Sequence, residues 1–312
     1  MSIRLQSLVI GTRASRLAVW QAEWVKAQLE SAHPGLTIRL ERIKTSGDKI
    51  LDVPLAKIGG KGLFVKEIEE ALLAKTVDLA VHSMKDVPTQ LPEGLDLVCV
   101  PEREDPHDAL ICRTAKSLDD LPKGAKVGTS SLRRQSQLLH YRPDLQIDML
   151  RGNLDTRMRK LQDGQYEAIV LAAAGLRRLG WADSITALIP ADICLPAIGQ
   201  GALAIEADVT HQVLGAVVAP LHHVPTAIAV SAERAFLTRL EGGCQVPIAA
   251  YATLQGNEIR LEGLIASVDG RTILRDTVIG PSSEAQLLGV RLAELLLERG
   301  GREILSQIMG MA

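Results

Sequence analysis

Short apolar strand segments alternate with helical segments through the first part of this 312-residue chain, and this alternation is what most limits the fold. Apolar runs at residues 8–10, 37–43 and 79–81 are separated by apolar positions at helical spacing in residues 17–27 and 64–72. Because strands joined through helices pair in parallel, the pattern predicts an α/β lobe with a mainly parallel sheet.

The same alternation restarts after a charged, proline-bracketed segment at residues 101–106, which we interpret as a linker. A strand-to-helix turn at residues 126–131 is followed by predicted strands at residues 145–150 and 168–172 and by a helix at residues 154–161. The sequence therefore predicts two α/β lobes of one kind, each with its own sheet.

The two predicted lobes contain related turns. Residues Gly11–Ser15 and Gly128–Ser131 each carry a Gly-Thr turn that leads to a serine at the start of a helix. Such a turn directs backbone N–H groups and the positive end of the helix dipole at one spot, which suits an anion. Serine capping alone explains either turn about equally well, whereas the repetition favours paired anion sites across a cleft.

The C-terminal part has a different pattern. A helix at residues 226–240 precedes three β runs joined by Gly-Asn and Asp-Gly turns, and two further helices begin near Ser283 and Gly301. We therefore expect an α+β domain with a three-stranded sheet at residues 221–312. The first α/β lobe is expected to comprise residues 1–100 with 200–220, and the second residues 101–199.

Composition and spacing disfavour several classes of function. The net charge of −2 and the aromatic content of 3% argue against a nucleic-acid binder, which needs a basic face and stacking side chains. We find no signal peptide and no apolar stretch of membrane-spanning length, and the four cysteines are widely spaced, as in a reduced cytosolic protein. The seven histidines lack metal-ligand spacing, so we expect no metal site and a cytoplasmic location.

Two segments of the first lobe carry candidate chemistry. Lys85 and Asp86 directly follow a predicted strand, where α/β sheets place their ligands, although such a pair is more often solvated surface. Residues 44–61 form a polar, glycine-rich loop, and its Lys57 and Lys61 suggest a lid over an anionic ligand. The order of its glycines and lysines does not match a nucleotide P-loop.

A cysteine and a pair of arginines are further candidates. Two glycines place Cys244 on a turn between helix and strand, where a thiol is well placed for covalent attachment, although a lone cysteine is more often a small buried apolar residue. Arg133 and Arg134 lie in a first helical turn, where cations oppose the helix dipole. This unfavourable placement suggests that an anion recruits them.

Seven motifs resemble those of the porphobilinogen deaminase family, and they occur in the family's order over nearly the whole chain. They are residues 11–15 (GTRAS), 60–64 (GKGLF), 82–88 (HSMKDVP), 128–134 (GTSSLRR), 151–153 (RGN), 196–202 (PAIGQGA) and 242–247 (GGCQVP). The resemblance implies three domains, of which the first two are similar to periplasmic solute-binding lobes that face one cleft.

The resemblance also implies an activity. Family members hold a dipyrromethane cofactor through a thioether to a cysteine that matches Cys244, and this cofactor is the primer for four additions of porphobilinogen. Each substrate loses ammonia to give an electrophilic methylene-pyrrolenine, and hydrolysis finally releases hydroxymethylbilane. Asp86 matches the catalytic aspartate, since cationic intermediates need a carboxylate facing the pyrrole N–H groups.

The remaining site residues follow from the same resemblance and bind carboxylates. Those assigned to the cofactor are Ser83, Lys85, Thr129, Ser131, Arg133, Arg134 and Arg157. Those assigned to the incoming substrate or the growing chain are Arg13, Ser15, Lys57, Lys61, Arg151 and Arg178.

One alternative from another class is a non-catalytic bilobal solute-binding protein for a small anion, because two α/β lobes around an anion site would suffice for it. It predicts an export signal and gives Cys244 no role. The family resemblance instead implies a monomer that acts on the small molecule porphobilinogen, without nucleic acid or membrane. Its product would pass to a downstream uroporphyrinogen synthase without a stable complex.

Overall fold

A computed structural model describes residues 6–49, 65–211, 213–241 and 246–310 of the chain. Its strands are β1 (Ser7–Arg13), β2 (Thr37–Ile43), β3 (Leu79–Ser83), β4 (Leu95–Cys99), β5 (Asp108–Cys112), β6 (Lys126–Gly128), β7 (Gln146–Asp148), β8 (Ala168–Ala172), β9 (Ala187–Ile189), β10 (Leu203–Asp208), β11 (Ile248–Gln255), β12 (Glu258–Ala266) and β13 (Ile273–Pro281). Its helices are α1 (Arg16–Ala32), α2 (Ser46–Lys49), α3 (Lys66–Leu73), α4 (Leu132–Tyr141), α5 (Leu154–Gln162), α6 (Ala173–Arg178), α7 (Leu214–Val218), α8 (Val224–Arg239), α9 (Ala285–Leu296) and α10 (Arg302–Gly310).

Helix length and hydropathy can be compared with what a membrane span requires. No single helix in the described ranges is long and apolar enough to cross a membrane, although the bent pair Leu214–Leu221 and Val224–Arg239 meets the length and composition requirement together.

The chain divides into two compact units. Among the described residues, the first unit comprises residues 6–49, 65–104 and 202–227, and the second comprises residues 105–201 and 228–310. The second unit contains two of the three sheets, so the boundaries that we predict for three domains stay a prediction.

The sheet of the first unit has the strand order β2-β1-β3-β10-β4. Strand β1 pairs in parallel with β2 and β3, whereas β10 pairs antiparallel with β3 and β4. Apolar side chains cover both faces. Val25 and Leu29 of α1 pack on one face, and Ile68 and Leu72 of α3 pack on the other.

The first sheet of the second unit repeats this arrangement, with the order β7-β6-β8-β5-β9. Strand β6 is parallel to β7 and β8, and β5 is antiparallel to β8 and β9. The predicted two lobes of one kind are therefore present, but the expectation of mainly parallel sheets is wrong for half of the strand pairs. In each sheet the antiparallel fourth strand follows the point where the chain enters that unit, so no crossover helix forces it to be parallel.

The third sheet is the antiparallel meander β11-β12-β13, as the sequence predicts. Its turns contain Gly256 and Gly270, whose φ angles of 61° and 71° fall in the left-handed region that favours glycine. Helices α8 and α9 cover one face of this sheet, where Phe236 and Leu292 are fully buried.

Close approach of α8 and α9 generates a stability prediction. A Cβ atom at Gly289 would collide with the Ala232 carbonyl oxygen and lie 2.9 Å from the Ala235 Cβ atom. Gly289→Ala should therefore destabilise the protein by about 1–3 kcal/mol, because two helix backbones must separate. Gly215→Ala is the matched control, since nothing lies within 4 Å of its added methyl group. In urea unfolding the control should be neutral or stabilised by up to about 1 kcal/mol, and equal effects at both glycines would contradict the packing argument.

Candidate active site

An open pocket lies in the first unit, at the carboxyl ends of the parallel strands β1 and β3. Its polar lining comprises Arg13, Ser15, Gln21, His82, Ser83 and Asp86. The edge where parallel strands end is where α/β sheets bind ligands. The structure thus brings together four of the residues that the sequence assigns to the site, which are Arg13, Ser15, Ser83 and Asp86.

Asp86 reaches the pocket because β3 ends in a single 3₁₀ turn at Met84–Asp86. The Met84 amide donates to the Ala202 carbonyl oxygen at 3.0 Å, and the Val87 amide donates to the Met84 carbonyl oxygen at 3.1 Å. The Met84 side chain is buried and fixes the turn to the sheet, while Asp86 stays half-buried. Lys85 lies on the same turn and is also half-buried.

Gln21 is a pocket residue that the sequence reasoning missed. It lies on the buried face of α1, and its amide Nε2 donates to the Ser83 hydroxyl at 2.9 Å. On the same side, Ser15 caps α1 by accepting from the Ala18 amide at 3.4 Å. The sequence could have indicated this residue, because Gln21 lies on an otherwise apolar helix face and a buried amide needs a polar partner.

A buried histidine and two buried glutamates adjoin this pocket. The ring Nε2 of His82 lies 2.9 Å from Oε2 of Glu206, and both side chains are buried. Glu69 of α3 lies on the same side of the sheet, and burial, followed by the nearby Glu206 carboxylate, raises the pKa of Glu69 to about 7. Sequence reasoning missed both glutamates, although Glu206 is an acidic residue in the interior of a mostly apolar strand.

In the second unit, hydroxyl and cationic residues follow the parallel strands β6 and β7. Ser131 caps α4 by accepting from the Arg134 amide at 3.4 Å, and the Thr129 hydroxyl accepts from the Ser131 amide at 3.2 Å. The Ser130 hydroxyl donates to the Leu150 carbonyl oxygen at 2.7 Å and so ties this turn to the segment after β7. Arg151 is the next residue along that segment.

Arg133 and Arg134 contact a carboxylate of the protein itself. Arg133 Nη1 donates to Asp108 Oδ2 at 2.6 Å, and Arg134 Nε donates to Asp108 Oδ1 at 2.9 Å. Burial alone would raise the pKa of Asp108, but the two guanidinium groups outweigh burial and hold that pKa well below its usual range. Among the described residues, Asp108 is thus the anion that compensates two cations in a first helical turn. Their assignment to cofactor carboxylates stays a prediction.

The other three arginines lie in the same unit. Arg157 Nε donates to the Gly152 carbonyl oxygen at 2.8 Å, and Arg178 Nη2 donates to the Gly201 carbonyl oxygen at 2.7 Å. Burial lowers the pKa of Arg151, which means that its cation is less stable there than in water. An anion placed beside Arg151 would therefore be bound favourably.

Three residues assigned from the sequence, Lys57, Lys61 and Cys244, lie outside the described residues. The loop at residues 44–61 is described only up to residue 49. No group of three or more His, Cys, Asp or Glu side chains that could hold a metal ion occurs within the described part of the chain.

Two α/β sheets of one strand order, each with cationic and hydroxyl side chains where its parallel strands end, define a protein that binds an anionic small molecule. Residues 8–214 match the family model described as "Porphobilinogen deaminase, dipyromethane cofactor binding domain". Residues 227–298 match the model described as "Porphobilinogen deaminase, C-terminal domain".

Similar proteins extend over almost the whole chain. This chain is 57% identical over 304 residues to a porphobilinogen deaminase of Geotalea uraniireducens (strain Rf4). The alignment covers 97% of this chain and 95% of that protein. The chain is 58% identical over 304 residues to one of Geobacter sp. (strain M21), with the same coverage. An extracellular-binding protein of an amino-acid ABC transporter from Bacillus subtilis matches at a TM-score of 0.41 and 13% identity, covering 70% of this chain and 90% of that one, which is too weak to support a conclusion.

The chain belongs to the porphobilinogen deaminase family. It is therefore a transferase of tetrapyrrole biosynthesis that uses a dipyrromethane cofactor. It condenses four porphobilinogen molecules head to tail with loss of ammonia and releases hydroxymethylbilane by hydrolysis.

The Asp108 contacts generate a second prediction. Asp108→Asn should destabilise the protein by about 3–5 kcal/mol, because two buried guanidinium groups lose their counter-charge. Asp144→Asn is the matched control, since it breaks a partly exposed pair with Arg142, N–O distance 2.7 Å, and should lower the melting temperature far less. Thermal unfolding at neutral pH measures both variants. Similar melting temperatures for the two would show that the Asp108 contacts contribute little.

Proposed function

We propose that this chain condenses porphobilinogen through Asp86, with Arg13 and Ser15 binding carboxylates of the substrate. The observation that supports this most is that Arg13, Ser15, Ser83 and Asp86 line one pocket, at a sheet edge suited to ligands. A cation, two hydroxyls and one carboxylate are the groups needed for a substrate that carries both acidic side chains and a pyrrole N–H.

Asp86 acts on charge that develops during the reaction. Loss of ammonia from the substrate leaves positive charge spread over the pyrrole ring and its nitrogen. A fixed carboxylate that accepts a hydrogen bond from the pyrrole N–H stabilises this charge more than it stabilises the neutral substrate, and so it lowers the barrier. The short turn that anchors Asp86 to β3 holds the carboxylate in place before the charge appears.

The residues of the second unit fit the carboxylates of a dipyrromethane group. The hydroxyls of Thr129 and Ser131 lie at the start of α4, and Arg151 is a partly buried cation whose pKa is lowered by burial. We propose that Thr129, Ser131 and Arg157 bind the acetate and propionate groups of the cofactor, whereas Arg151 and Arg178 bind carboxylates of the incoming substrate or the growing chain. When bound, the dipyrromethane supplies the free α-carbon to which each new pyrrole is joined.

Arg133 and Arg134 are proposed to bind the carboxylates of the cofactor as well. Asp108 takes up part of their charge and fixes the direction of both side chains, since it accepts from Arg133 and Arg134 at 2.6 Å and 2.9 Å. Ser83 and Lys85 are proposed as cofactor contacts from the first unit. Lys57 and Lys61 are proposed as lid residues, and Cys244 as the thioether attachment point.

The cellular setting is proposed as the cytoplasm, with the protein a monomer. Cys99, Cys112 and Cys194 are free, and burial raises the pKa of the Cys99 and Cys194 thiols to about 12, so these thiols stay protonated. Free thiols fit a reducing compartment. Neither membrane nor nucleic acid is expected to take part, and the product would pass to a downstream uroporphyrinogen synthase without a stable complex.

Asp86→Asn tests the catalytic assignment. It keeps the shape of the side chain but removes its charge, so turnover should fall by at least about a hundredfold if the carboxylate contributes about 3 kcal/mol. Asp86→Glu should lose less, because the charge is restored in a displaced position. Steady-state bilane formation is measured on primer-loaded protein of verified mass. Asp96→Asn, an exposed change on β4, serves as the control, and turnover of Asp86→Asn within about threefold of wild type would refute the assignment.

Cys244→Ser tests the attachment point. The variant should be folded yet lack both the extra mass of the dipyrromethane and the colour reaction of pyrroles with Ehrlich's reagent, because a hydroxyl is a far weaker nucleophile than a thiol. Intact-mass measurement also separates an enzyme from a non-catalytic solute-binding protein, which carries no adduct. Cys112→Ser is the control that should retain the mass, and an adduct on Cys244→Ser would exclude this residue.

A further inference from the structure

Three titratable side chains adjoin the pocket without belonging to the reaction proposed above. Glu69, His82 and Glu206 are 8%, 5% and 0% exposed, respectively. His82 also lines the pocket and precedes Ser83 on β3. Buried acids are rare in proteins unless they are paired, so two of them beside a catalytic turn require a reason.

Strand register and helix packing place these three side chains together. Ala204 of β10 is opposite His82 of β3, so Glu206 lies two residues further along β10 on the same face of the sheet. Its Oε2 atom is 2.9 Å from His82 Nε2. Helix α3, which carries Glu69, packs on β3 and β10. Within the described residues, no donor reaches Glu69 Oε1 or Glu206 Oε1.

The surroundings of Glu69 favour its protonated form. Burial contributes most to raising its pKa to about 7, and the Glu206 and Glu70 carboxylates add to the increase, whereas His82 opposes it. The charged side chains on the other two strands that pack against α3 are Arg13 on β1 and the exposed Asp96 on β4. Neither is among the charges that dominate the pKa of Glu69.

The raised pKa of Glu69 lowers the stability of the folded protein as the pH rises. A glutamate carboxyl whose pKa is raised from its ordinary value of 4.5 to about 7 in the folded protein destabilises the fold as the pH rises from about 4.5 to about 7. Above about pH 7 the full cost is present. A glutamine of the same shape would avoid this cost, so the acid at position 69 points to a use for its charge.

We propose that Glu69 is a pH-responsive second carboxylate beside the active site, packed against the strands that carry His82 and Glu206, whose charge acts on the reacting pyrrole without touching it. With its proton Glu69 is neutral, and without it Glu69 adds one negative charge beside the pocket. This added charge stabilises positive charge in the pocket beside Asp86. The inference rests on the proposed role of Asp86, and it makes Glu69 a positioning residue.

The pH dependence of kcat in primer-loaded enzyme tests this inference. In wild type, kcat should rise about tenfold through about pH 7, the factor expected for two unit charges about 10 Å apart at an effective dielectric near 20. Glu69→Gln should remain at the low-pH value throughout, with KM changed much less than kcat. Glu93→Gln, an exposed change in the same unit, is the control and should keep the wild-type profile, because Glu93 is not among the charges that shift the pKa of Glu69. Glu206→Gln should move the rise to lower pH, because a charge that raises the pKa of Glu69 is gone.

Two further measurements do not depend on turnover. Carbon NMR of labelled glutamate carboxyls should show one group that titrates near pH 7 in wild type and is missing in Glu69→Gln. Thermal unfolding should show Glu69→Gln to be more stable than wild type at pH 8, with the difference vanishing below about pH 4.5.

The outcomes separate this inference from the function on which it rests. Wild-type kcat at pH 8 in a stabilised Glu69→Gln variant would mean that the carboxylate only costs stability, and the inference would be wrong while Asp86 keeps its role. The absence of a carboxyl that titrates near pH 7 would also overturn it. An active Asp86→Asn variant would overturn the proposed catalytic role itself, whatever Glu69 does.

Discussion

One buried carboxylate, that of Asp108, organises the second unit. It is fully buried and accepts hydrogen bonds from Arg133, Arg134 and the Gln200 amide, the last at 2.8 Å. These contacts connect β5, the first turn of α4 and the segment that leads to β10. Since a charged carboxylate is stable in the interior only with such partners, the three segments must adopt their relative positions for the unit to form at all. The edge that carries Thr129 and Ser131 is defined by the same contacts.

Most of the fold could be predicted from local patterns. The sequence predicts β2 and β8 with the ends that the structure has, and it predicts the β11-β12-β13 meander from its glycine turns. Strand β2 has an alternating apolar period, the meander has clear turn signals, and β8 is an unbroken apolar run of five residues. Strands β5, β9 and β10 were missed as separate elements, because each has at most six residues and no alternating apolar period.

The site was predictable to the extent that its residues follow strands. Arg13, Ser15, Ser83 and Asp86 each come at the end of a strand, and the fold brings them to one pocket. The supporting residues were not predictable in this way, because their partners are distant along the chain. His82 and Glu206 are separated by 124 residues, and Arg133 and Asp108 by 25. A lone acidic residue in an apolar strand indicates that a partner exists, but only the three-dimensional fold identifies it.

The route of the chain through the two units has a consequence for synthesis on the ribosome. The five-stranded sheet of the second unit is formed entirely within residues 105–201, whereas the sheet of the first unit lacks its fourth strand until β10 has been made. The N-terminal strands β1 to β4 therefore emerge first, but their sheet is completed only after the sheet of β5 to β9. Until then the β3 and β4 edges that β10 will occupy have no neighbour, and Glu206 is not yet there to meet His82. A nascent chain must keep these two edges from pairing with other strands while about 100 further residues are translated, which takes several seconds at typical elongation rates.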